Sequence, residues 1–135
     1  MNILVIHGPN MNLIGLKNLG DDGKLTLNKI NTKIRLAARN KSMKMKIVQS
    51  HNESKIVSYL HRNRNKINFI IIAPETWAKN GNLIMETLEL IKKPVHFILP
   101  KKEKILFDIM DNPKITFYDK NYLEAYLKSI DSITN

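Results

Sequence analysis

The chain contains no cysteine, which excludes disulfide bonds and thiolate metal ligands. This absence fits a reducing compartment, so we expect a cytoplasmic protein. No apolar run approaches the roughly 18 residues that a membrane-spanning helix needs, and no membrane partner is expected. The first residues, MNILVIHGPN, lack the basic region and the small-residue cleavage site of a signal peptide and predict a strand instead.

Several motifs of nucleotide and metal chemistry are also missing. The sequence has neither a GxGxxG nor a Walker pattern, which excludes the usual phosphate-binding loops of nucleotide-binding proteins. No histidine has a second histidine or a carboxylate at metal-ligand spacing on one helix face, so no metal site is expected. His7 and His96 lie in strand patterns and are interpreted as hydrogen-bonded structural residues, whereas His51, at a strand end, is a site candidate.

Positive charge is what the sequence has in excess, with 22 Lys and Arg against 12 Asp and Glu and a net charge of +10. Two interpretations stay open: solvated surface lysines, or an anionic partner such as a nucleic acid or a carboxylated metabolite. The cations are spread along the chain, and aromatic residues do not alternate with them as a single-strand binding platform requires. A nucleic-acid partner is therefore the less favoured interpretation, although the charge permits it.

Short apolar runs alternate with amphipathic ones along residues 1–135, without a linker or an internal repeat. The short runs predict five strands, at residues 2–7, 44–48, 68–73, 94–99 and 114–118. Apolar residues at helical spacing predict helices at 27–39, after Asn52, and at 81–91, 101–110 and 122–130. We expect a single α/β domain: a five-stranded, doubly wound parallel sheet of flavodoxin-like order in three α/β/α layers.

A ligand of such a fold binds outside the carboxyl ends of the strands, where the strand order reverses. The segments expected there are residues 8–24, 49–53, 73–80 and 99–101. Residues 8–24 are predicted to form one long loop, and loops of that length inside a compact domain are usually functional.

The run ILVIHGPNMNLIG, at residues 3–15, resembles the N-terminal signature of the type II 3-dehydroquinate dehydratases. Residues 49–53, QSHNE, are similar to that family's QSNHEG, and Pro74 and Trp77 fall in its NPGAYTHTS segment. The likeness extends to about Lys101. It implies a flavodoxin-like homo-oligomer, a trimer or a dodecamer, that needs no cofactor and dehydrates 3-dehydroquinate. The resemblance implies that a tyrosinate, activated by an arginine, removes the proton next to the ketone of the substrate. A histidine held by a glutamate then protonates the leaving hydroxyl, and an asparagine positions a water that stabilises the enolate.

Carried over residue by residue, the resemblance places these roles on residues of a different kind. The arginine falls on Lys17, the tyrosine on Asp22 and the asparagine on Ala73. The supporting glutamate and the acid histidine fall on Phe97 and Leu99. Hydrophobic side chains cannot move protons, so the resemblance implies a divergent member whose dehydratase activity is impaired or absent.

The same region keeps amide side chains and gains lysines, which suit a small anionic or carboxylated ligand. The ligand-binding candidates are Asn10, Asn12, Lys17, Asp22, His51, Asn52, Lys79 and Lys101. Glu86 falls where the family has an acid that reaches into a neighbouring subunit. Three functions compete: a non-catalytic binding protein, an active dehydratase or related lyase with a rebuilt site, and a basic nucleic-acid-binding module.

Overall fold

The computed structural model describes residues 1–16, 25–102, 106 and 113–133. Its five strands are β1 (Asn2–His7), β2 (Lys44–Gln49), β3 (Phe69–Ala73), β4 (Val95–Leu99) and β5 (Lys114–Tyr118). Its five helices are α1 (Leu27–Arg39), α2 (Glu53–Asn63), α3 (Trp77–Asn80), α4 (Asn82–Ile91) and α5 (Tyr122–Ser132). Two short 3-10 helices span Met11–Leu16 and Arg64–Lys66. None of the helices described here is long and apolar enough to cross a membrane.

The five strands form one parallel sheet in the order β2-β1-β3-β4-β5. Ile3 of β1 lies opposite Met45 of β2 on one side and Phe69 of β3 on the other. The direction in which the chain adds strands reverses between β1 and β3, so their carboxyl ends form the switch point of the sheet. The predicted flavodoxin-like strand order is confirmed.

Helices cover both faces of the sheet, because successive side chains of a strand point to opposite sides. Ile3 and Val5 of β1 pack in one core with α1 and α5, and Leu4 and Ile6 pack in the other with α2 and α4. The central strands are apolar at almost every position for this reason, as expected of a parallel sheet buried on both faces. The three predicted layers are confirmed.

Helices α1 and α2 begin at side chains that accept backbone hydrogen bonds from the first turn. Thr26 Oγ1 accepts from the Lys29 N–H at 3.2 Å, and Asn52 Oδ1 accepts from the Lys55 N–H at 3.2 Å. Each cap satisfies a donor that has no partner within the helix.

The segment after β1 differs from the long loop that the sequence predicts. Met11–Leu16 form a 3-10 helix with a kink at Leu13, and the side chains of Met11 and Ile14 are fully buried against the α1–α5 core. Residues 17–24 lie outside the described part of the chain. The helix predicted at 101–110 also falls almost entirely outside it.

The chain between β3 and β4 contains one helix more than predicted. The short helix α3 precedes α4, and its Trp77 is buried in the α2–α4 core instead of lining the carboxyl edge of the sheet. Leu83 of α4 is 48% exposed although its side chain is apolar. Ile84, Met85 and Leu88 occupy the inner positions of that helix, which turns Leu83 outward.

Candidate functional site

The GPN turn after β1 crosses directly over the end of β3. The Gly8 N–H donates to the Ala73 carbonyl at 2.8 Å. A Cβ at position 8 would lie 2.7 Å from the carbonyl oxygens of both Ala73 and Pro74, closer than such atoms approach. Glycine is therefore required at this position, because any side chain would separate the two strand ends at the switch point.

Two of the predicted site residues are brought together on top of this turn. Asn10 has a left-handed backbone, with φ of 66°, and its N–H donates to His51 Nδ1 at 3.1 Å. In the neutral ring of His51 the proton is then on Nε2, so the ring presents a donor to a ligand. Asn10, Asn12 and His51 are all exposed at this edge.

The other candidates are distributed around the same edge. Lys79, in α3, and Lys101, just after β4, are exposed. The Asn52 side chain caps α2, so its oxygen is occupied by a structural hydrogen bond. Lys17 and Asp22 lie outside the described residues.

The positions onto which the family's water-positioning and acid groups fall are buried and apolar. Ala73 is 0% exposed in the α1–α5 core. Phe97 is 0% and Leu99 1% exposed in the α2–α4 core. None of the three side chains carries a group that can donate or accept a proton.

Glu75 lies within the 73–80 segment expected at this edge but was not chosen as a ligand-binding candidate; it lies at the switch point two residues after β3. Its backbone is left-handed, with φ of 53°, a conformation that costs a non-glycine residue on the order of 1 kcal/mol. The buried Tyr122 hydroxyl donates to Glu75 Oε2 at 2.5 Å. A carboxylate is therefore fixed at the end of β3 by a tyrosine from α5. The signals for it in the sequence are its place in the 73–80 segment and its acidic character just after a fully apolar strand.

A second tyrosine of α5 is hydrogen-bonded to the end of β1. Tyr126 Oη lies 2.7 Å from His7 Nδ1, and His7 Nε2 lies 2.8 Å from Asn31 Oδ1 of α1. Because the Asn31 oxygen can only accept, the proton of the neutral His7 ring is on Nε2, and Nδ1 accepts from the tyrosine hydroxyl. Each polar atom in this buried chain has a partner.

Burial sets the protonation states of the same groups. It lowers the pKa of His7 from 6.5 to about 4, although the hydrogen bond to Asn31 acts in the opposite direction. Burial, together with the negative charge of Glu75, raises the pKa of Tyr126 well above 10. At neutral pH the ring is uncharged and the tyrosine keeps its proton.

His96, the second residue of β4, has a similar structural role. Its Nδ1 lies 2.7 Å from Ser129 Oγ of α5, and its ring packs against those of Phe69 and Phe117. Burial lowers the pKa of His96 from 6.5 to about 4. The prediction that His7 and His96 are hydrogen-bonded structural residues is confirmed. Across the described ranges, no group of three or more His, Cys, Asp or Glu residues could hold a metal ion.

An open five-stranded parallel sheet of order 2-1-3-4-5, with polar groups at its β1–β3 switch point, defines the flavodoxin-like class of α/β proteins. The family model described as dehydroquinase class II matches residues 1–98. The chain belongs to this family.

Relatives of similar sequence carry the name 3-dehydroquinate dehydratase. The protein of Clostridium botulinum strain Hall is 37% identical over 94 residues, which are 70% of this chain and 64% of the relative. The protein of Caldanaerobacter subterraneus is 34% identical over 93 residues, 69% of this chain and 63% of that protein. The matched region thus spans less than two thirds of the length of these relatives.

Solved structures of low sequence identity share the fold. The type II dehydroquinase of Butyrivibrio crossotus superposes with a TM-score of 0.82 at 21% identity, over 97% of this chain and 95% of that one. A 3-dehydroquinate dehydratase-like protein from Bifidobacterium longum superposes with a TM-score of 0.69 at 11% identity, over 98% and 94% of the two chains.

Proposed function

We propose that residues 1–135 form a single dehydroquinase-like domain that does not dehydrate 3-dehydroquinate and holds a small anionic ligand at the carboxyl ends of its strands. One observation carries the first part of this proposal. The two positions onto which the family's proton-donating pair falls, Phe97 and Leu99, are hydrocarbon side chains buried in the core. General acid–base groups each contribute about 10²- to 10⁴-fold to rate, and these two residues can contribute none.

The polar groups of the switch point do not replace the missing chemistry. Tyr126 keeps its proton at neutral pH, since its pKa is raised, and donates it to His7. Both ring nitrogens of His7 are already hydrogen-bonded. A tyrosinate base needs a lowered pKa, and Tyr126 has the opposite environment.

A rebuilt lyase is the second candidate, and the position of Glu75 is the observation that favours it. This carboxylate is partly exposed at the switch point, where a substrate of this fold binds. In such an enzyme Glu75 would be the base and the family's tyrosine would have no role. The Glu75→Gln variant separates the two candidates, because it removes turnover from a rebuilt lyase and changes nothing in a protein without turnover.

The first test is the assay of purified protein with 3-dehydroquinate, followed by the ultraviolet absorbance of the conjugated product. The Clostridium botulinum relative named 3-dehydroquinate dehydratase is the positive control. We expect no product above the protein-free rate. Turnover that Glu75→Gln abolishes would replace the proposal with the rebuilt lyase, and turnover that this variant retains would contradict both.

The anionic ligand is proposed from exposed groups that surround the switch point. Lys79 and Lys101 supply positive charge, and His51 and Asn10 supply hydrogen-bonding groups. A carboxylate or phosphate held among them would be stabilised by charge-assisted hydrogen bonds. Citrate and inorganic phosphate are suitable probes because they carry these two chemistries.

The binding test is a titration of the backbone amide NMR signals with citrate and, separately, with phosphate. We expect saturable shifts at residues 10, 51, 79 and 101 that weaken at least several-fold in the Lys79→Gln/Lys101→Gln variant. The charge-matched control is Lys33→Gln/Arg39→Gln, two exposed cations of α1. Equal weakening in the two variants, or shifts that do not saturate, would contradict a site at this edge.

We also propose that the chain forms a homo-oligomer, a trimer or a dodecamer. The outer face of α4 supports this, since Leu83, Glu86 and Leu90 lie three and four residues apart and are all exposed. Sedimentation velocity should show a species larger than a monomer, and Leu83→Lys/Leu90→Lys should dissociate it. A wild-type monomer at every concentration would contradict this proposal.

A further inference from the structure

Two adjoining hollows run along the face of the sheet that carries α2, between that helix and the edge strand β2. The larger, of about 620 Å³, is bounded by the end of β2 and by Lys55, Tyr59 and Arg62 of α2. The smaller, of about 230 Å³, is bounded by the start of β2, by Tyr59 again and by Lys66 after α2. Tyr59 lines both, so the two hollows adjoin at this side chain, and together they are called here the β2–α2 groove.

The lining of the β2–α2 groove is positively charged along its whole length. Five exposed cations from three separate elements line it: Lys44, Lys46, Lys55, Arg62 and Lys66. Within the part of the chain that the structure describes, no carboxylate lines either hollow, and none of the five cations takes part in an ion pair. Five like charges facing one groove repel each other, and an anion in the groove would relieve that repulsion.

The dimensions of the β2–α2 groove favour an extended anion over a compact one. Lys44 lies at the first residue of β2, and the six residues of this strand span about 20 Å at 3.3 Å per residue. Lys55 and Arg62 are seven residues apart on α2, which separates them by about 10 Å along the helix axis. A single carboxylate or phosphate can contact only one or two of these cations at a time.

Serine hydroxyls add neutral donors to the larger hollow. Ser54 and Ser58 lie one turn apart on α2, and Ser50 lies at the end of β2. Hydroxyls and backbone groups commonly accompany Lys and Arg in contacts with phosphate oxygens. Half-buried Tyr59, between the two hollows, presents an aromatic ring at the middle of the cationic row.

We propose that the β2–α2 groove binds a linear phosphate polymer, through its phosphates, along the row of five cations. A single-stranded nucleic acid and inorganic polyphosphate both have this chemistry. The site differs from the ligand position proposed at the switch point, and the inference does not depend on that function. The five cations of the groove are dispersed along the sequence and are brought to one face by the fold.

The test measures the affinity of the purified full chain for a fluorescent 12-nucleotide oligo(dT), by anisotropy over a series of salt concentrations. Competition with unlabelled inorganic polyphosphate gives the affinity for the second polymer. We expect affinity to fall steeply with salt, since each phosphate contact to a single strand contributes about 0.7 to the log–log slope. The triple variant Lys46→Gln/Lys55→Gln/Arg62→Gln should lower that slope by about 2 and lower the affinity on the order of 10²-fold in dilute salt.

The control must distinguish binding at the groove from the non-specific attraction of a strongly basic protein for any polyanion. Lys33→Gln/Arg35→Gln/Arg39→Gln removes the same charge from α1, on the opposite face of the sheet. This variant should keep the affinity within a few-fold of the wild-type value. An equal loss of affinity in the two triple variants would overturn the proposal that the groove is the binding site. An absence of salt-dependent binding to both polymers would overturn it as well.

Tyr59→Leu distinguishes the two polymers. Stacking of a base on an aromatic ring contributes roughly 1–3 kcal/mol, so this variant should weaken the oligonucleotide about 5-fold or more if a nucleic acid occupies the groove. An unchanged oligonucleotide affinity, together with equal affinity for polyphosphate, would identify the phosphate chain alone as the ligand. Both results keep the groove as the binding site.

Discussion

His7 carries no charge at neutral pH, because burial lowers its pKa from 6.5 to about 4. In the unfolded chain the same ring returns to its ordinary pKa. Between pH 6.5 and 4 the unfolded state therefore binds more protons than the folded state, and stability falls as the pH falls through this window. The difference in pKa corresponds to about 3 kcal/mol once both states are protonated. His96, whose pKa is lowered in the same direction by burial, adds to the loss.

The His7→Gln variant tests this assignment. It should be less stable than the wild type at pH 7 by about 1–3 kcal/mol, because the buried Tyr126 hydroxyl loses its acceptor. Its further loss of stability between pH 7 and 4 should be smaller than that of the wild type by about 3 kcal/mol. Urea unfolding at a series of pH values measures both effects. The exposed His61→Gln is the control, and an acid sensitivity equal in all three proteins would contradict a buried neutral His7.

The short hydrogen bond between Tyr122 and Glu75 should be detectable as a coupling energy. A double-mutant cycle of Tyr122→Phe and Glu75→Ala removes this contact in both orders, so other effects of each substitution cancel. We expect a coupling of about 1–2 kcal/mol in the free energy of unfolding, since one partner is charged but partly exposed. A coupling near zero would mean that this hydrogen bond contributes nothing to the position of α5.

For single residues, the sequence predicts whether a side chain is structural better than it predicts which partner that side chain contacts. The two strand histidines were correctly predicted to be structural, because polar groups in apolar strands need hydrogen-bond partners. The role of Glu75 was not predictable from its neighbours in the chain. Its partner Tyr122 lies 47 residues away and reaches it only after α5 has packed on the sheet.

At the scale of elements, α2 and α4 are linked by a carboxylate at the start of both helices. Glu53, in the first turn of α2, accepts a hydrogen bond from the Ile84 N–H of α4 at 3.0 Å. Gly81, the N-cap of α4, has no side chain to do this, so Glu53 supplies the cap from outside. Its negative charge also favours the amino ends of both helix dipoles.

The Glu53→Ala variant should lower the free energy of unfolding by about 1–2 kcal/mol, the usual cost of losing a cap together with a dipole interaction. The control is Asp131→Ala, which removes the same charge from an exposed position near the end of α5 and should change stability by under about 0.5 kcal/mol. Chemical denaturation of both variants is sufficient. Equal effects would assign the loss to net charge instead of to the cap.

Long elements were predictable from periodicity, and single turns were not. The strands at residues 2–7 and 114–118 and the helix at 27–39 have the predicted bounds, because apolar spacing extends over their full length. The 3-10 helix Met11–Leu16 and the helix α3 contain about one or two turns. Over one or two turns, a helical spacing of apolar residues cannot be distinguished from chance. The conformation of these two short helices is decided instead by the burial of Met11 and Trp77 in the core.

At the scale of the whole molecule, the alternation of strands and helices was enough to predict the sheet order. Parallel strands with right-handed crossovers permit few arrangements, and the observed 2-1-3-4-5 order is one of them. The distribution of charge was not predictable in the same way. The cations of the β2–α2 groove come from β2, α2 and the segment after α2, and only the folded chain brings them together.

The central claim, that this member of the dehydroquinase family does not perform the family's proton transfers, is tested most directly in deuterated water. Purified protein is incubated with 3-dehydroquinate, and NMR follows both exchange of the proton next to the ketone and formation of the product. Exchange of this proton detects a catalytic base even when the hydroxyl is not eliminated. We predict that neither process exceeds the protein-free rate, at least about 10⁴-fold below the Clostridium botulinum relative measured in parallel. Exchange without product would show that a base persists and contradict the claim in part; exchange with product would contradict it entirely.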